Sequence, residues 1–380
     1  MTGGLRARPL GEREAAMRSS PILGVDLGGT KTLVGLFDPQ GRLQVSRRYA
    51  SAEFATLLPL LERFLTEERA FLEAWGSPDM ACLAVAGPVD SGQARLTHLP
   101  WRIDAREIGA RLGLKAVLLV NDFVAAAAGV TGLTPDELRS IQPGVPVTGA
   151  PRLVIGAGTG LGCAVLLEPE RGAIAVPGDA ADRHPDRDDD LGRRPEPIAG
   201  PRARILAGEG GHVGFAPRTV LEGRLWHWLH VRHGYVSVET VVSGPGIARI
   251  HAFLRDERGF GPADRRPESI DPTIAIAKAG LAPDDPDVLA AEALDLFAAA
   301  FGAVAGDMAL ASLTRGGVCL AGGIAPKVFD ARRTAAFLRA FNAKGAHAPL
   351  MSSIPISVVQ AEDLGLRGTA ALALGAARLS

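Results

Sequence analysis

The chain has 380 residues, more than one hydrophobic core usually organises, so two domains are expected. Hydrophobic residues make up 47% and charged residues 22%, the balance of an ordinary soluble globular protein. A net charge of −1 excludes a broad basic field for gathering nucleic acid, although backbone N–H groups can still hold a phosphate locally.

The cysteines are Cys82, Cys163 and Cys319, each inside an apolar, strand-like run and none in a CxxC pair. Reduced, buried thiols in a cytosolic protein are the expected reading. No apolar run reaches the roughly 18 residues that span a bilayer, so no membrane partner is expected. Residues 1–20 carry Arg and Glu without an apolar stretch, unlike a secretory signal. They are expected to form a flexible leader, or to reflect a start that belongs nearer Met17.

Ile22–Asp26 is a short apolar run that ends in Gly28-Gly29, and Leu33–Phe37 follows directly. Two strands joined by a glycine turn fit this pattern. Phe54–Trp75 has helical spacing, Ala81–Ala86 reads as a buried strand, Arg106–Leu112 as a short helix and Ala116–Val120 as a strand. The alanine-rich Phe123–Gly129 predicts a helix packed closely on a neighbour. Leu153–Ile155, a glycine turn and Cys163–Leu167 then repeat the opening pattern. An offset of 129 residues places Gly29-Thr30 on Gly158-Thr159, a weak internal repeat that suggests two related α/β lobes. Between Pro177 and Arg204 Asp, Arg and Pro dominate, a composition expected to form a disordered surface insertion. Asp186–Asp190 lacks the Gly and terminal Glu of a calcium loop. Val288–Leu313 and Gly368–Leu379 predict alanine-rich helices; Val318–Leu320 and Ile356–Val359 predict strands.

Several short motifs could carry chemistry. In Asp26-Leu27-Gly28-Gly29-Thr30 the glycines allow close approach of backbone to phosphate, and Thr30 adds a hydroxyl donor. Asp26, at a strand end, could hold Mg²⁺ through water. Read alone, the segment also fits a plain glycine hairpin. Gly156–Gly162 resembles a dinucleotide fingerprint, but a strand rather than a helix follows it, which argues against that fold. Asn121-Asp122 lies at the carboxyl end of a predicted strand, where ligands bind in open α/β sheets. Asp122 there could accept a hydroxyl proton, and either residue could equally cap the next helix. Glu209-Gly210-Gly211-His212 and Glu239 offer donors and acceptors suited to sugar hydroxyls, and no HExxH or cysteine cluster accompanies them to make a zinc site. Ser243–Gly246 and Ala321-Gly322-Gly323 are small-residue turns that could accommodate a flat ring.

In this order the segments resemble the bacterial glucokinase family of the hexokinase–actin–Hsp70 superfamily. The resemblance runs from about Ile22 to the C-terminus outside the insertion. Its most specific stretches are LVNDFVAAA, GAGTGLG, GEGGHVGFAP, VSVETVVSGPG and GVCLAGGIAPK. It implies a two-lobed actin-like ATPase (ribonuclease H-like) α/β fold with an interlobe cleft. The expected small lobe is 21–133, with a C-terminal helix over 365–380 packing back on it; the large lobe is 134–364, containing the insertion 177–204. The implied reaction is ATP- and Mg²⁺-dependent phosphorylation of glucose in the cytoplasm. A kinase for another hexose or amino sugar, or a weakly catalytic sugar-sensing regulator, is the alternative.

The resemblance makes Asp122 the catalytic base and a sugar ligand, and Asn121, Glu209, His212 and Glu239 sugar ligands. Gly28, Gly29 and Thr30 become the first phosphate hairpin, Gly158, Thr159 and Gly160 the second, and Gly322 and Gly323 part of the adenosine pocket. One departure stands out: after Thr97 the family usually has Asn, and this chain has His98, bulkier and titrating nearer neutrality. The cysteine motif and helix-turn-helix leader of ROK-type relatives are missing, which points to the non-ROK group. A homodimer is left open.

Overall fold

Two β-sheets built to one plan organise the chain. The computed structural model describes residues 20–96, 99–167, 203–260 and 271–375, and the backbone of 377–379. The leader 1–19, Thr97, His98 and most of the predicted insertion lie outside the described residues. The first sheet contains β1 (Ile22–Leu27), β2 (Lys31–Phe37), β3 (Leu43–Ala50), β4 (Met80–Val85) and later β8 (Ala116–Asn121), in the order β3-β2-β1-β4-β8. A small antiparallel sheet of β5 (Val89–Asp90), β6 (Gln93–Arg95) and β7 (Arg102–Asp104) lies between β4 and β8 in sequence. The second large sheet contains β9 (Leu138–Gln142), β10 (Arg152–Ala157), β11 (Leu161–Leu167), β12 (Ala203–Gly208), β13 (Gly317–Ala321), β14 (Ile356–Val359) and β15 (Ala377–Leu379), in the order β15-β12-β11-β10-β13-β14-β9.

The repeat in sequence becomes a repeat in topology. β1 lies between antiparallel β2 and parallel β4, as β10 lies between antiparallel β11 and parallel β13. The central strands are buried apolar runs, as sheets covered on both faces require. Register brings the carboxyl ends level: Leu27 pairs with Val85, and Val85 with Asn121. In the second sheet Gly156 pairs with Ala321.

The helices follow as α1 (Leu57–Glu67), α2 (Arg69–Trp75), α3 (Ala105–Leu112), α4 (Asp122–Val130), α5 (Val220–His233), α6 (Val238–Val241), α7 (Gly244–Glu257), α8 (Pro272–Gly280), α9 (Val288–Ala311), α10 (Ala325–Val328), α11 (Ala331–Asn342), α12 (Ala348–Ser353) and α13 (Leu364–Ala373). The single helix expected over 54–75 is broken at Glu68, which caps α1 and α2 and pairs with Arg47 on β3. One core joins α1 and α3 to the first sheet, with Leu57, Leu61, Phe64 and Ile108 inside it. A larger core joins α7, α9 and α11 to the second sheet around Phe253, Phe297, Phe301 and Phe337. α9 is long and apolar enough to cross a membrane, a property the sequence reading did not assign, yet two-thirds of its most apolar stretch is buried inside the protein.

A third cluster lies between the sheets. It gathers Cys82, Ala84 and Val120 of the first sheet, Val154, Ala164, Ile205 and Cys319 of the second, and Val124, Ala125, Ala128, Leu364 and Leu372 from α4 and α13. α4 and α13 therefore form an inner layer, and they touch backbone to backbone. An added Cβ at Gly368 would overlap the carbonyl oxygen of Ala125, and one at Gly129 would overlap that of Leu364. The close packing expected of the alanine run is this contact.

Two expectations are corrected. The C-terminal helix does not run over 365–380: it ends at Ala373, and Ala377–Leu379 pairs in parallel with β12. Gly375, at φ +67, makes the turn between them. The predicted insertion reaches too far, because Ala203 and Arg204 belong to β12, where Arg204 pairs with Leu167. The alternation of Ala203, Ile205 and Ala207 with Arg204 and Leu206 is a strand signal at the edge of a charged segment.

Gly368→Ala is expected to lower the unfolding free energy by about 1–3 kcal/mol, the usual cost of overpacking, and more if α4 cannot shift. Urea unfolding of the two proteins measures it; equal midpoints would show that the helices separate freely.

Candidate active site

Asp122 reaches its place because the chain passes directly from β8 into α4. Asn121 is the N-cap of that helix: its side-chain oxygen accepts from the Phe123 N–H at 2.9 Å, and its amide donates to the Gly87 carbonyl at 3.3 Å. The capping alternative thus describes Asn121, and one amide hydrogen remains for a ligand. Asp122 also accepts from the Phe123 N–H, at 2.9 Å. The Phe123 ring lies against the backbone of β11, where a Cβ at Gly162 would overlap it.

Burial pushes the Asp122 carboxyl up to about 7, and the negative charges of Asp26 and Glu209 act in the same direction. Asp26, one residue before the end of β1, is itself raised to about 6 by burial, against the opposing pull of Lys31. Its carboxyl sits over the first turn of α13, with an oxygen 2.5 Å from where a Cβ of Gly365 would stand. Only glycine there leaves Asp26 its room.

The Glu–His cluster is open to solvent. A short 3₁₀ turn, Gly210–His212, follows β12 and presents Glu209 and His212; α6 presents Glu239. His212 Nε2 lies 3.9 Å from a Glu209 oxygen, and Nδ1 3.7 Å from a Glu239 oxygen. The other Glu239 oxygen accepts from the Leu161 N–H at 3.4 Å. It also stands 2.6 Å from where a Cβ of Gly160 would be. Glu239 therefore connects the cluster to the second glycine hairpin.

That hairpin is where three small-residue motifs converge. The Gly158 N–H donates to the Gly160 carbonyl at 2.8 Å, and the Gly244 N–H donates to the Gly158 carbonyl at 2.8 Å. Gly322, at φ +80, has its Cβ position 2.8 Å from the Ala157 carbonyl oxygen. Thr159, Gly322 and Gly323 are exposed, and nothing stands within 4 Å of the Cβ positions of Gly158 and Gly323. The first hairpin, Gly28-Gly29-Thr30, closes with the Gly28 N–H donating to Lys31 O at 3.1 Å. Asp26, two residues before it, acts on Asp122 by its charge. His98 lies outside the described residues.

Sequence reasoning missed three supports. Buried Ser51 braces the first hairpin: its N–H donates to Thr30 O and its hydroxyl to Gly28 O, each at 3.1 Å. Phe123 and Gly162 form the wedge beside Asp122, and Gly365 makes space for Asp26. Ser51 carries no motif, and the other two depend on partners far apart in sequence. A groove of about 550 Å³ lined by Val220, Arg224, His227, Trp228 and Glu257 contains none of these residues.

The pH dependence of stability has a definite sign. Asp122 holds its proton more tightly in the folded chain, about 7, than at the ordinary value of 3.8. Its contribution is favourable at low pH and is lost as pH rises from about 4 through about 7. Asp122→Asn removes this titration, so the variant should gain stability over the parent as pH rises from 4 to 8. The gain is on the order of 2–4 kcal/mol at full ionisation. Melting curves across that range test it, and a gap that does not change with pH would contradict the burial of this carboxyl.

Known proteins match this arrangement. The profile of the family described as Glucokinase matches residues 23–189 and 197–376. The glucokinase of Nostoc punctiforme is 35% identical over 378 residues, covering 94% of this chain and 99% of its own. A glucokinase structure from an Antarctic psychrotroph covers 94% of this chain and 99% of its own, with a TM-score of 0.70 at 27% identity. A ROK family glucokinase from Streptomyces griseus, solved with glucose and AMPPNP, covers 93% of this chain and 99% of its own; its TM-score of 0.58 at 20% identity speaks to the fold. The two related sheets with helices between them are the actin-like ATPase fold, and the chain belongs to the glucokinase family.

Proposed function

We infer that this chain transfers the γ-phosphoryl group of ATP to the 6-hydroxyl of glucose, with Asp122 as the general base. The observation that carries the base assignment is the Asp122 carboxyl at the carboxyl edge of β8, raised to about 7 by burial and by Asp26 and Glu209. A base of that strength is half ionised near neutrality, where general-base catalysis is most effective. The family and the glucose- and AMPPNP-bound neighbour support the substrates.

In this reading glucose sits against Asn121, Glu209, His212 and Glu239. The hydroxyl proton moves to the Asp122 carboxylate as the sugar oxygen bonds to the γ-phosphorus; the bond to the β–γ bridging oxygen breaks and ADP leaves. N–H groups of the turns at Gly28–Thr30 and Gly158–Gly160, other than those of Gly28 and Gly158, which close the turns, face the phosphates, and Gly322-Gly323 borders the adenosine. Glu239, bonded to Leu161 N–H and beside His212, ties sugar position to phosphate position. Asp26, a half-buried carboxyl with an oxygen-only donor set, fits a hard divalent cation held through water. When bound with ATP, Mg²⁺ offsets the phosphate charge.

We further propose that 21–133 with α13 acts as one lobe and 134–364 as the other, closing over the substrates to exclude water. The three cysteines are buried, which fits reduced thiols and a cytoplasmic site of action.

Asp122→Asn should lower kcat by about 10²–10⁴-fold without unfolding the chain. The parent kcat/KM should fall below an apparent pKa of about 7, and the variant should lose that limb. Coupled ADP-release assays from pH 5.5 to 9 measure both, and near-normal turnover in the variant would remove Asp122 from the role.

His98 is where sugar preference is expected to depart from the family. Rates with glucose, mannose, galactose and glucosamine should redistribute in His98→Asn, by about tenfold or more in at least one ratio of kcat/KM. Unchanged ratios and an unchanged pH profile would clear His98 of any part in selection.

A further inference from the structure

The Glu209–His212 turn rests on two sulfur atoms. An added Cβ at Gly210 would stand 2.5 Å from Met308 Cε, 2.7 Å from Cys163 Sγ and 3.2 Å from Met308 Sδ. Gly210 has no positive φ that would demand glycine, so the constraint is steric and comes from these two side chains. Its neighbour Gly211 presses on β11, where a Cβ would overlap the Leu161 carbonyl oxygen. Cys163 is a buried residue of β11, with its thiol 3.8 Å from the Gly208 carbonyl. Burial raises its proton affinity, and the sulfur faces this turn at the Cβ position of Gly210. Met308, near the end of α9, packs half-buried against the large core.

We propose that Cys163 and Met308 are positioning residues for sugar binding: together they form a floor that sets the height of the Glu209–His212 turn above β11. The inference rests on the reading that Glu209 and His212 hold the sugar. Both sulfurs lie against the turn at Gly210, between Glu209 and His212. Each acts by deciding how far the turn can settle toward the sheet, and so where the Glu209 carboxylate and the His212 ring stand relative to Glu239. The two parts differ in stiffness. Cys163 has a single side-chain torsion on a buried strand, whereas Met308 is unbranched and adaptable. The thiol fixes the floor and the thioether fills what remains.

A floor can be tested by exchanging volume across it. Gly210→Ala should lift the turn and raise the KM for glucose by about 10- to 100-fold, the range expected when binding groups shift by about 1 Å. The KM for ATP should change much less. Removing volume from below should reverse this: Gly210→Ala/Cys163→Ala and Gly210→Ala/Met308→Ala should each recover most of the lost glucose affinity, although each sulfur deletion alone weakens it. Glucose and ATP kinetics on the purified full chain, with melting temperatures alongside, read this out. If Gly210→Ala does not fold, Met308→Phe raises the floor from the other side and should raise the KM for glucose in the same way. Double variants no better than Gly210→Ala, or a loss confined to ATP KM, would overturn the proposal. Glu209→Gln separates the two levels: if it leaves glucose KM unchanged, the sugar-site reading fails; if it raises KM while the volume exchange does nothing, only the floor fails.

Discussion

The backbone contact between α4 and α13 fixes where the acidic groups meet. α4 begins at Asp122, and the first turn of α13 lies under Asp26. Because Gly129 and Gly368 bring no side chain to their contacts with Leu364 and Ala125, the two helices lie closer than larger residues would allow. The two carboxyls lie at the rim of one sheet, and burial raises both proton affinities, with Asp26 and Glu209 adding to the rise at Asp122. More water around Asp122 would lower its proton affinity toward the ordinary carboxylate range and make it a weaker base for the proposed reaction.

The second sheet supplies the complementary half by the same plan. β10 and β11 repeat the hairpin of β1 and β2, but the turn after β10 is surrounded by other small-residue segments rather than by serine hydroxyls. Gly244 donates to it and Gly322 lies against its base. The first hairpin is braced by Ser51 instead. One repeated pattern is thus supported by unlike neighbours in the two sheets.

Much of this was legible in the sequence because it depends on local signals. Apolar runs ending in glycine give β1, β2, β10 and β11, and the alanine runs give α4 and α9. β9 and β3 were missed because LRSIQ and LQVSRRYA carry polar, half-exposed patterns that only a sheet partner makes into strands. The C-terminal strand was read as helix because ALALGAARL has helical composition, and only pairing with β12 decides otherwise. At the candidate site, Asp122 was legible from its place at a strand's carboxyl end, Glu209 and His212 from the glycines between them, and Glu239 from the resemblance. Ser51, Gly162 and Gly365 were not, since each matters through a partner dozens to hundreds of residues away.

The wedge of Phe123 against β11 has a mechanical consequence. The acid itself crowns β8, while the very next side chain is keyed into the backbone of the opposite sheet at Gly162. Relative sliding of the sheets would have to extract that ring before it could carry the carboxyl away from Glu209. On the proposed reading the general base is thus tied to both sheets, and a movement of one against the other acts on it through that ring.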